Sequence, residues 1–372
     1  MSRTQRCGPS GVAGVPPRGR GPLWLAACVV VAGAALLAGP PRAGAAVIAP
    51  VVTGRGDTWD PSATVDATTS VPVFAWTLYR RGVPRALLRV GAQKRLKMNR
   101  RGIGWAWSVD SSSSTAAYQQ DRGGNSDVKF YDWQTQAWAK PGPSVDTDRW
   151  EYEPALSGHW LVFGRLNRRA TPDTRRIILE NVQTGAVTVL AEFQGSRAVG
   201  TLSSPQINGD WVTWVSMKDE YQRASVHRYQ ISTGKALRIP HPTGLLDYES
   251  AIGPDGTVYF LQSPGGCGRR VTFESYTTAG VLNTLADMPA GRDGGEELSA
   301  EPQADGSTDL YFDSYRCTST TSNGNIYMLA VPSGASGAGQ VERSTSASRS
   351  AAHPKTFPRA LRRRLMEIEG TP

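Results

Sequence analysis

The stretch Ser157–Gly164 reads SGHWLVFG, and Asn208–Val215, which begins 51 residues later, reads NGDWVTWV. Each stretch places a small polar turn before an aromatic residue and an apolar run. The runs LVF and WVTWV are apolar on both alternating sets of positions, so both faces of each strand must be buried. We therefore predict sheets that pack against a neighbour on either side.

Two landmarks repeat along the chain with a period of about 50 residues. Small polar residues open an apolar strand at six places, which are Asp66–Thr69, Ser111–Ser114, Ser157-Gly158, Asn208-Gly209, Asp255-Gly256 and Asp305-Gly306. The last four lie 51, 47 and 50 residues apart. A second turn, before the last strand of a unit, recurs at steps of 49, 49 and 46 residues, at Gln136, Gly185, Gly234 and Gly280. Two independent landmarks with one period predict six copies of one unit.

Each unit can be divided into four short strands separated by turn residues. In the copy that starts at Pro205 these strands are PQIN, DWVTWVS, ASVHRYQIS and KALRIP. Radial stacking of four-stranded sheets buries both faces of every sheet. We therefore predict an all-β fold over residues 47–331, a six-bladed β-propeller of four-stranded antiparallel blades. The last copy lacks a fourth strand, and we predict that Val47–Val52, a strand without a blade, supplies it and closes the ring.

Both ends of the chain differ from this body. Arginines, the apolar run Leu23–Gly39 and the small residues Ala43-Gly44-Ala45 predict that residues 1–46 are a signal peptide, so the protein is secreted or extracytoplasmic. Lipidation at Cys28 and retention as an uncleaved anchor remain open alternatives. Residues 332–372 are rich in Ser, Ala, Gly and Arg, which predicts a disordered basic tail.

The formal charge of +9 comes from these two ends, because residues 43–330 hold 29 basic and 29 acidic side chains. A neutral body has no basic surface for nucleic acid. We also expect contact with a membrane only transiently, through the signal peptide.

Two cysteines follow the signal peptide, Cys267 and Cys317, and each lies 11 residues after a turn glycine, Gly256 or Gly306. Equivalent offsets place them in neighbouring loops of adjacent blades. Because an exported protein meets an oxidising environment, we predict a Cys267–Cys317 disulfide.

The sequence Gly253–Phe260, GPDGTVYF, resembles the repeats of TolB-like six-bladed propellers, which carry a Pro-Asp-Gly turn between strands. Glu153-Pro154 and Glu301-Pro302 open other copies in a similar way. The resemblance covers residues 47–330 and implies the propeller architecture. The separate amino-terminal domain of TolB is missing from this sequence, so the partner binding of that family is not carried over.

Carboxylates lie at a similar depth in several inner strands. They are Asp60, Glu153, Glu249 and Glu301, and Ser204 takes this place in the fourth copy. Such residues could cap backbone N–H groups of the neighbouring blade, which is the role that repeated positions in repeat proteins usually have. They could instead hold a calcium-like ion or supply an acid and a base. Arg149, Arg292 and the acidic, glycine-containing loop Arg292–Glu297 would border this site.

These features favour a monomeric, non-enzymatic binding or scaffold module for a protein, peptide or cell-wall ligand. The four histidines show no zinc spacing, and we predict no bound metal and no cofactor. The alternative is a carbohydrate hydrolase or lyase that uses two of Asp60, Glu153, Glu249 and Glu301 as acid and base.

Overall fold

The computed structural model of the protein describes residues 47–333 except for short internal segments. Those segments are 53–56, 67, 81–82, 100–102, 111–113, 123, 140, 146, 196–199, 219–222, 266–268, 290–293 and 316–323. The statements below concern the described residues.

The described residues form six four-stranded antiparallel sheets, the blades of a propeller. The first strand of the chain, β1 (Val47–Val52), belongs to the last blade. From the innermost to the outermost strand, blade 1 consists of β2 (Asp57–Val65), β3 (Pro72–Arg80), β4 (Val83–Val90) and β5 (Leu96–Lys97). Blade 2 consists of β6 (Ile103–Asp110), β7 (Thr115–Arg122), β8 (Asn125–Asp132) and β9 (Ala137–Ala139). Blade 3 consists of β10 (Trp150–Ser157), β11 (Trp160–Asn167), β12 (Thr174–Asn181) and β13 (Ala186–Gln194).

Blades 4 to 6 have the same order. Blade 4 consists of β14 (Gly200–Asn208), β15 (Trp211–Lys218), β16 (Arg223–Gln230) and β17 (Lys235–Arg238). Blade 5 consists of β18 (Leu246–Ile252), β19 (Val258–Ser263), β20 (Thr272–Tyr276) and β21 (Leu282–Asp287). Blade 6 consists of β22 (Gly294–Pro302), β23 (Thr308–Tyr315), β24 (Asn325–Val331) and β1. One 3-10 helix, Pro143–Val145, lies between blades 2 and 3 in the sequence. The described residues form no other helix, and they include no helix that is long and apolar enough to span a membrane.

Strand β1 closes the ring, as the sequence predicts. It pairs antiparallel with β24, with Val47 opposite Ala330 and Ile48 opposite Leu329. The amino-terminal strand is therefore the outermost strand of blade 6, and the two ends of the body meet in one sheet.

The two repeated landmarks are turns within the blades. Gly158 and Gly209 lie between the first and second strands of blades 3 and 4, and both adopt a left-handed φ, 58° and 55°. Gly185 and Gly234 lie between the third and fourth strands of the same blades. The period read from the sequence therefore counts blades.

The hydrophobic core is formed by side chains that pack between neighbouring blades. Phe312 of blade 6 packs on Phe273 of blade 5, with ring centroids 4.6 Å apart, and on Tyr327 of its own blade. Between blades 3 and 4, Val162 and Trp214 are buried in one cluster. Alternate side chains of each inner strand pack against opposite neighbours, which explains why these strands are apolar on both sets of positions.

Several predictions concern residues outside the described part. The signal peptide and tail predictions fall there, and so do Cys267 and Cys317. In the sequence, Cys267 lies between β19 and β20, and Cys317 lies between β23 and β24. The disulfide therefore stays a prediction.

Closure by β1 should contribute to stability. Ile48 packs against the core cluster that spans blades 4 to 6, so Ile48→Ala should lower the free energy of unfolding by about 1–2 kcal/mol. Val83→Ala, at a valine that is 41% exposed, should change it by less than about 0.5 kcal/mol. Guanidinium chloride unfolding measures both variants, and equal effects would contradict the closing role of β1.

Candidate functional site

The innermost strands of the six blades surround an axial channel. Because every blade begins with its innermost strand, these strands run in one direction along the channel. We call the end where they begin the start mouth and the end where they lead into the first turn of the blade the turn mouth. Asp57 lies at the start mouth and Val65 at the turn mouth in blade 1.

A β-bulge interrupts every innermost strand at an equivalent position. The pairing with the second strand shifts there in all six blades. Five bulges hold a non-glycine residue in the left-handed region, and they are Asp60 (φ 53°), Glu153 (φ 51°), Ser204 (φ 50°), Glu249 (φ 45°) and Glu297 (φ 58°). Trp107 takes this place in blade 2. A residue other than glycine adopts this backbone conformation at a cost in free energy, so the surrounding contacts must hold these residues in it.

We call these six positions the bulge ring. Three of its members precede a proline, in Asp60-Pro61, Glu153-Pro154 and Ser204-Pro205. Proline lacks an N–H donor, and within sheets it is tolerated at bulges and on edge strands. The sequence pattern of carboxylate and proline is therefore explained by the bulge geometry.

Hydrogen bonds from the bulge ring reach the next blade. Glu153 Oε2 accepts a hydrogen bond from the backbone N–H of Ser204, and Glu249 Oε2 accepts one from the backbone N–H of Glu297 at 3.2 Å. Glu249 Oε2 also accepts from the Ser204 hydroxyl at 2.8 Å. Both carboxylates are buried. They therefore join blade 3 to blade 4 and blade 5 to its two neighbours.

Asp60 acts on the next blade through a second side chain. The Thr77 hydroxyl donates a short hydrogen bond to Asp60 Oδ2. The backbone N–H of Ala106, in blade 2, donates to the same hydroxyl at 2.8 Å. The carboxylate thus fixes the orientation of a hydroxyl that accepts from the neighbouring blade.

Nearer the turn mouth, serine and aspartate side chains make the same kind of contact. Ser62 Oγ accepts from Val109 N and Ser108 Oγ accepts from Leu156 N, both at 3.1 Å. At the turns, Asp110 Oδ2 accepts from the backbone N–H of Gly158 at 3.1 Å. In every case the acceptor lies on one blade and the backbone donor lies on the next blade in the sequence.

Glu301 does not belong to the bulge ring, although the sequence analysis placed it at the same depth as Glu153. Strand β22 begins at Gly294, and the left-handed bulge residue of blade 6 is Glu297. Glu301 lies opposite Asp309 near the end of the strand. The Glu301-Pro302 pair has the same residue types as Glu153-Pro154, but it lies at a different position along its strand and not at the bulge. The spacing favoured Glu297, which is 48 residues after Glu249, within the 46–51 range of the turns, whereas Glu301 is 52 residues after it.

A polar cavity of about 140 Å³ lies at the turn mouth, lined by residues from all six blades. Its polar lining includes Thr64, Asp110, Gln206, Asn208 and Glu301. Thr64 Oγ1 donates to Glu301 Oε1 at 3.1 Å. Burial raises the pKa of Glu301 to about 7, and the nearby Asp309 and Asp110 carboxylates add to the shift.

A second charged cluster, which the sequence analysis missed, lies at the start mouth of blade 3. Glu151 Oε1 accepts from Arg165 Nε at 3.0 Å and from Thr147 Oγ1 at 2.6 Å. Burial raises the pKa of Glu151 to about 7. Arg165 also donates to the backbone oxygen of Ser144. The signal in the sequence was an arginine inside the otherwise apolar second strand Trp160–Asn167.

The predicted site residues are therefore not gathered in one place. Asp60, Glu153 and Glu249 share the bulge ring, Arg149 directly precedes β10 at the start mouth, and Glu301 lies at the turn mouth. Arg292 lies outside the described residues. Within the described part of the chain, no three His, Cys, Asp or Glu side chains form a group that could hold a metal ion.

No protein-family model matches the sequence, and no curated protein is similar to it. Solved structures are similar to it in fold. A protein of unknown function from Dyadobacter fermentans has a TM-score of 0.51 at 9% identity, over 76% of this chain and 97% of that one. A putative TolB from Agrobacterium tumefaciens has a TM-score of 0.49 at 12% identity, over 74% and 91%. An oligogalacturonate lyase from Vibrio parahaemolyticus has a TM-score of 0.46 at 12% identity, over 75% and 99%.

At these identities the similarity concerns the fold alone. TolB propellers are among the similar structures, in agreement with the resemblance seen in the sequence. An oligogalacturonate lyase in complex with manganese is another, and the metal is a property of that protein.

The bulge ring predicts a specific pair of stability effects. Glu249→Ala should lower the free energy of unfolding by about 2–4 kcal/mol, because it removes the acceptor of the Glu297 N–H and of the Ser204 hydroxyl. Glu249→Gly should be about 1 kcal/mol less destabilising, because glycine adopts a φ of 45° without strain. Denaturant unfolding of both variants measures the difference. Glu192→Ala, at a partly exposed carboxylate, is the control, and a glycine variant less stable than the alanine variant would contradict the strain.

The half-buried carboxyl of Glu301 predicts a pH dependence. Its folded pKa, about 7, is higher than its ordinary value of 4.5, so the stability it contributes is present below pH 4.5 and is lost as the pH rises to 7. Glu301→Gln mimics the protonated form, so it should gain about 2–3 kcal/mol relative to wild type between pH 4.5 and 8. Unfolding at both pH values measures this gain, which should be absent in Glu192→Gln. A constant difference between Glu301→Gln and wild type would contradict the raised pKa.

Proposed function

We propose that the protein is an extracytoplasmic binding or scaffold module for a protein, peptide or cell-wall ligand. The observation that carries the proposal is the engagement of Glu153 and Glu249 by backbone N–H groups of the next blade. A general acid or base must reach a proton of the substrate. These carboxylates are buried in the joints between blades, where their oxygens stabilise the ring.

The separation of Glu301 from the other three predicted carboxylates also favours binding over carbohydrate cleavage. A glycoside hydrolase needs two carboxyl groups about 5–9.5 Å apart across an open site. Glu301 lies at the turn mouth, several residues along the strand from the level of Glu153 and Glu249 in the bulge ring.

The extracytoplasmic part of the proposal rests on the sequence of residues 1–46, with its arginines, apolar run and small-residue motif. The predicted Cys267–Cys317 disulfide belongs to the same proposal, because it requires an oxidising compartment. Mass spectrometry of the exported chain reports both the cleavage site and the cysteine pairing.

Capture and turnover experiments separate the two classes of function. The exported chain, immobilised with and without residues 332–372, should retain a ligand from culture medium or from a cell-wall fraction. Incubated with oligogalacturonate and other polysaccharides, the same preparation should release no product. Cleavage that Glu153→Gln or Glu249→Gln abolishes, in a variant that stays folded by circular dichroism, would overturn the binding proposal.

A further inference from the structure

The outermost strand of a blade is a sheet edge, with backbone N–H and C=O groups that pair on one side only. Natural proteins protect such edges with short strands, charged residues, proline or β-bulges. Among the six outer strands that the structure describes, β5 and β9 have two and three residues, and β1 contains Pro50. Strand β17 carries Lys235 and Arg238, and β21 ends at Asp287.

Strand β13 has a regular, uncharged segment, Ala186–Val189, before its bulge at Leu190 and its one charged residue, Glu192. It has nine residues, AVTVLAEFQ, the longest of the described outer strands, and it pairs only with β12. Val187 and Val189 are 45% and 48% exposed. They are two residues apart, before the bulge opposite Ile177 and Ile178, so they lie on the same face of the strand. This edge therefore combines free backbone groups with two apolar side chains.

The electrostatics of β13 indicate the chemistry of an occupant. Residues 186–191 carry no charge, and the only charged residue of the strand is Glu192. The carboxylate of Glu192 is already engaged, because it accepts from Arg176 Nε at 2.6 Å and from Gln194 Nε2 at 2.7 Å. An occupant should therefore be uncharged over about six residues and rich in β-branched side chains, which pack well on a pleated surface.

The extent of the edge favours a peptide over a second copy of this chain. Two propellers that met edge to edge at β13 would contact each other along about six residues each, whereas a stable interface uses about 20–30 residues a side. An extended peptide segment is not subject to this limit, because it gains main-chain hydrogen bonds along its whole length and immobilises a smaller partner surface.

We infer that β13 binds an extended, uncharged segment of a partner protein as a fifth strand of blade 3. The inference rests on the proposed binding function and specifies its site. Main-chain hydrogen bonds to residues 186–191 would supply affinity, and contacts of alternate side chains with Val187 and Val189 would supply selectivity.

The test uses a fluorescein-labelled synthetic peptide of alternating threonine and valine, with two terminal lysines for solubility, and the exported full chain. Fluorescence anisotropy should show saturable binding. Val189→Lys should weaken it at least about tenfold, because a lysine on the edge opposes strand addition. Val189→Thr keeps a neutral β-branched residue and should bind within about twofold of wild type. Leu237→Lys, at a leucine 41% exposed on β17, is the matched control and should not change binding.

Two further measurements separate strand addition from non-specific apolar contact. A peptide whose alternate amides are N-methylated cannot form the ladder and should not bind. Hydrogen exchange should slow at residues 186–191 when the peptide binds and should not change at β17. Equal binding of the methylated peptide, or protection elsewhere on the chain, would overturn the inference.

The remaining outcomes are also decisive. If sedimentation shows that the wild-type chain dimerises and that Val189→Lys is monomeric, a second copy occupies the edge and the inference is overturned. If Val189→Lys captures the same ligand from culture medium as wild type, the inference fails and the proposed binding function stands. If wild type captures nothing and does not bind the peptide, both fail.

Discussion

The structure depends on how the backbone of the innermost strands is satisfied. Each of these strands pairs with one neighbour only, so part of its N–H groups need acceptors from outside the sheet. At five of the six junctions in the described part of the chain, the preceding blade supplies an acceptor. Examples are Ser62 for Val109 N, Ser108 for Leu156 N and Glu249 for Glu297 N. Across the closing junction, the backbone oxygen of Gly324 accepts from Thr58 N at 3.1 Å. These hydrogen bonds join the six sheets into one ring, and they run from an acceptor on one blade to a donor on the next.

This constraint explains why polar residues in the channel resemble a catalytic ring in the sequence. A carboxylate is a strong acceptor, and at a left-handed bulge it reaches the backbone of the next blade. Glu153 and Glu249 do so, and both contact Ser204, which donates its N–H to one and its hydroxyl to the other. The left-handed backbone of the bulges is maintained because Glu153, Ser204, Glu249 and Glu297 contact neighbouring blades. Asp60 is held by the Thr77 hydroxyl of its own blade.

The fold could be predicted from the sequence because the features that indicate it are local and recur in each blade. The turn period, the doubly apolar inner strands and the orphan strand Val47–Val52 each follow from short-range chemistry. Register is different, because a shift of a few residues along β22 keeps its composition similar, and the Glu301-Pro302 pair concealed the true bulge at Glu297. The Glu151–Arg165 pair joins residues of two strands and could be recognised only once their pairing was known.

The inner and outer edges of the blades solve the same problem in different ways, and this difference bears on function. On the inside, side chains that could have bound a ligand are used to join blades, as with Asp110 and Gly158 N. On the outside no neighbouring blade is available, so each edge relies on its own length, charge or proline. Most of the described outer strands have such protection, whereas β13 leaves uncharged backbone and two valines open to solvent. In a ring whose channel groups are largely engaged in closure, the fold imposes the fewest structural demands on the outer edges of the blades.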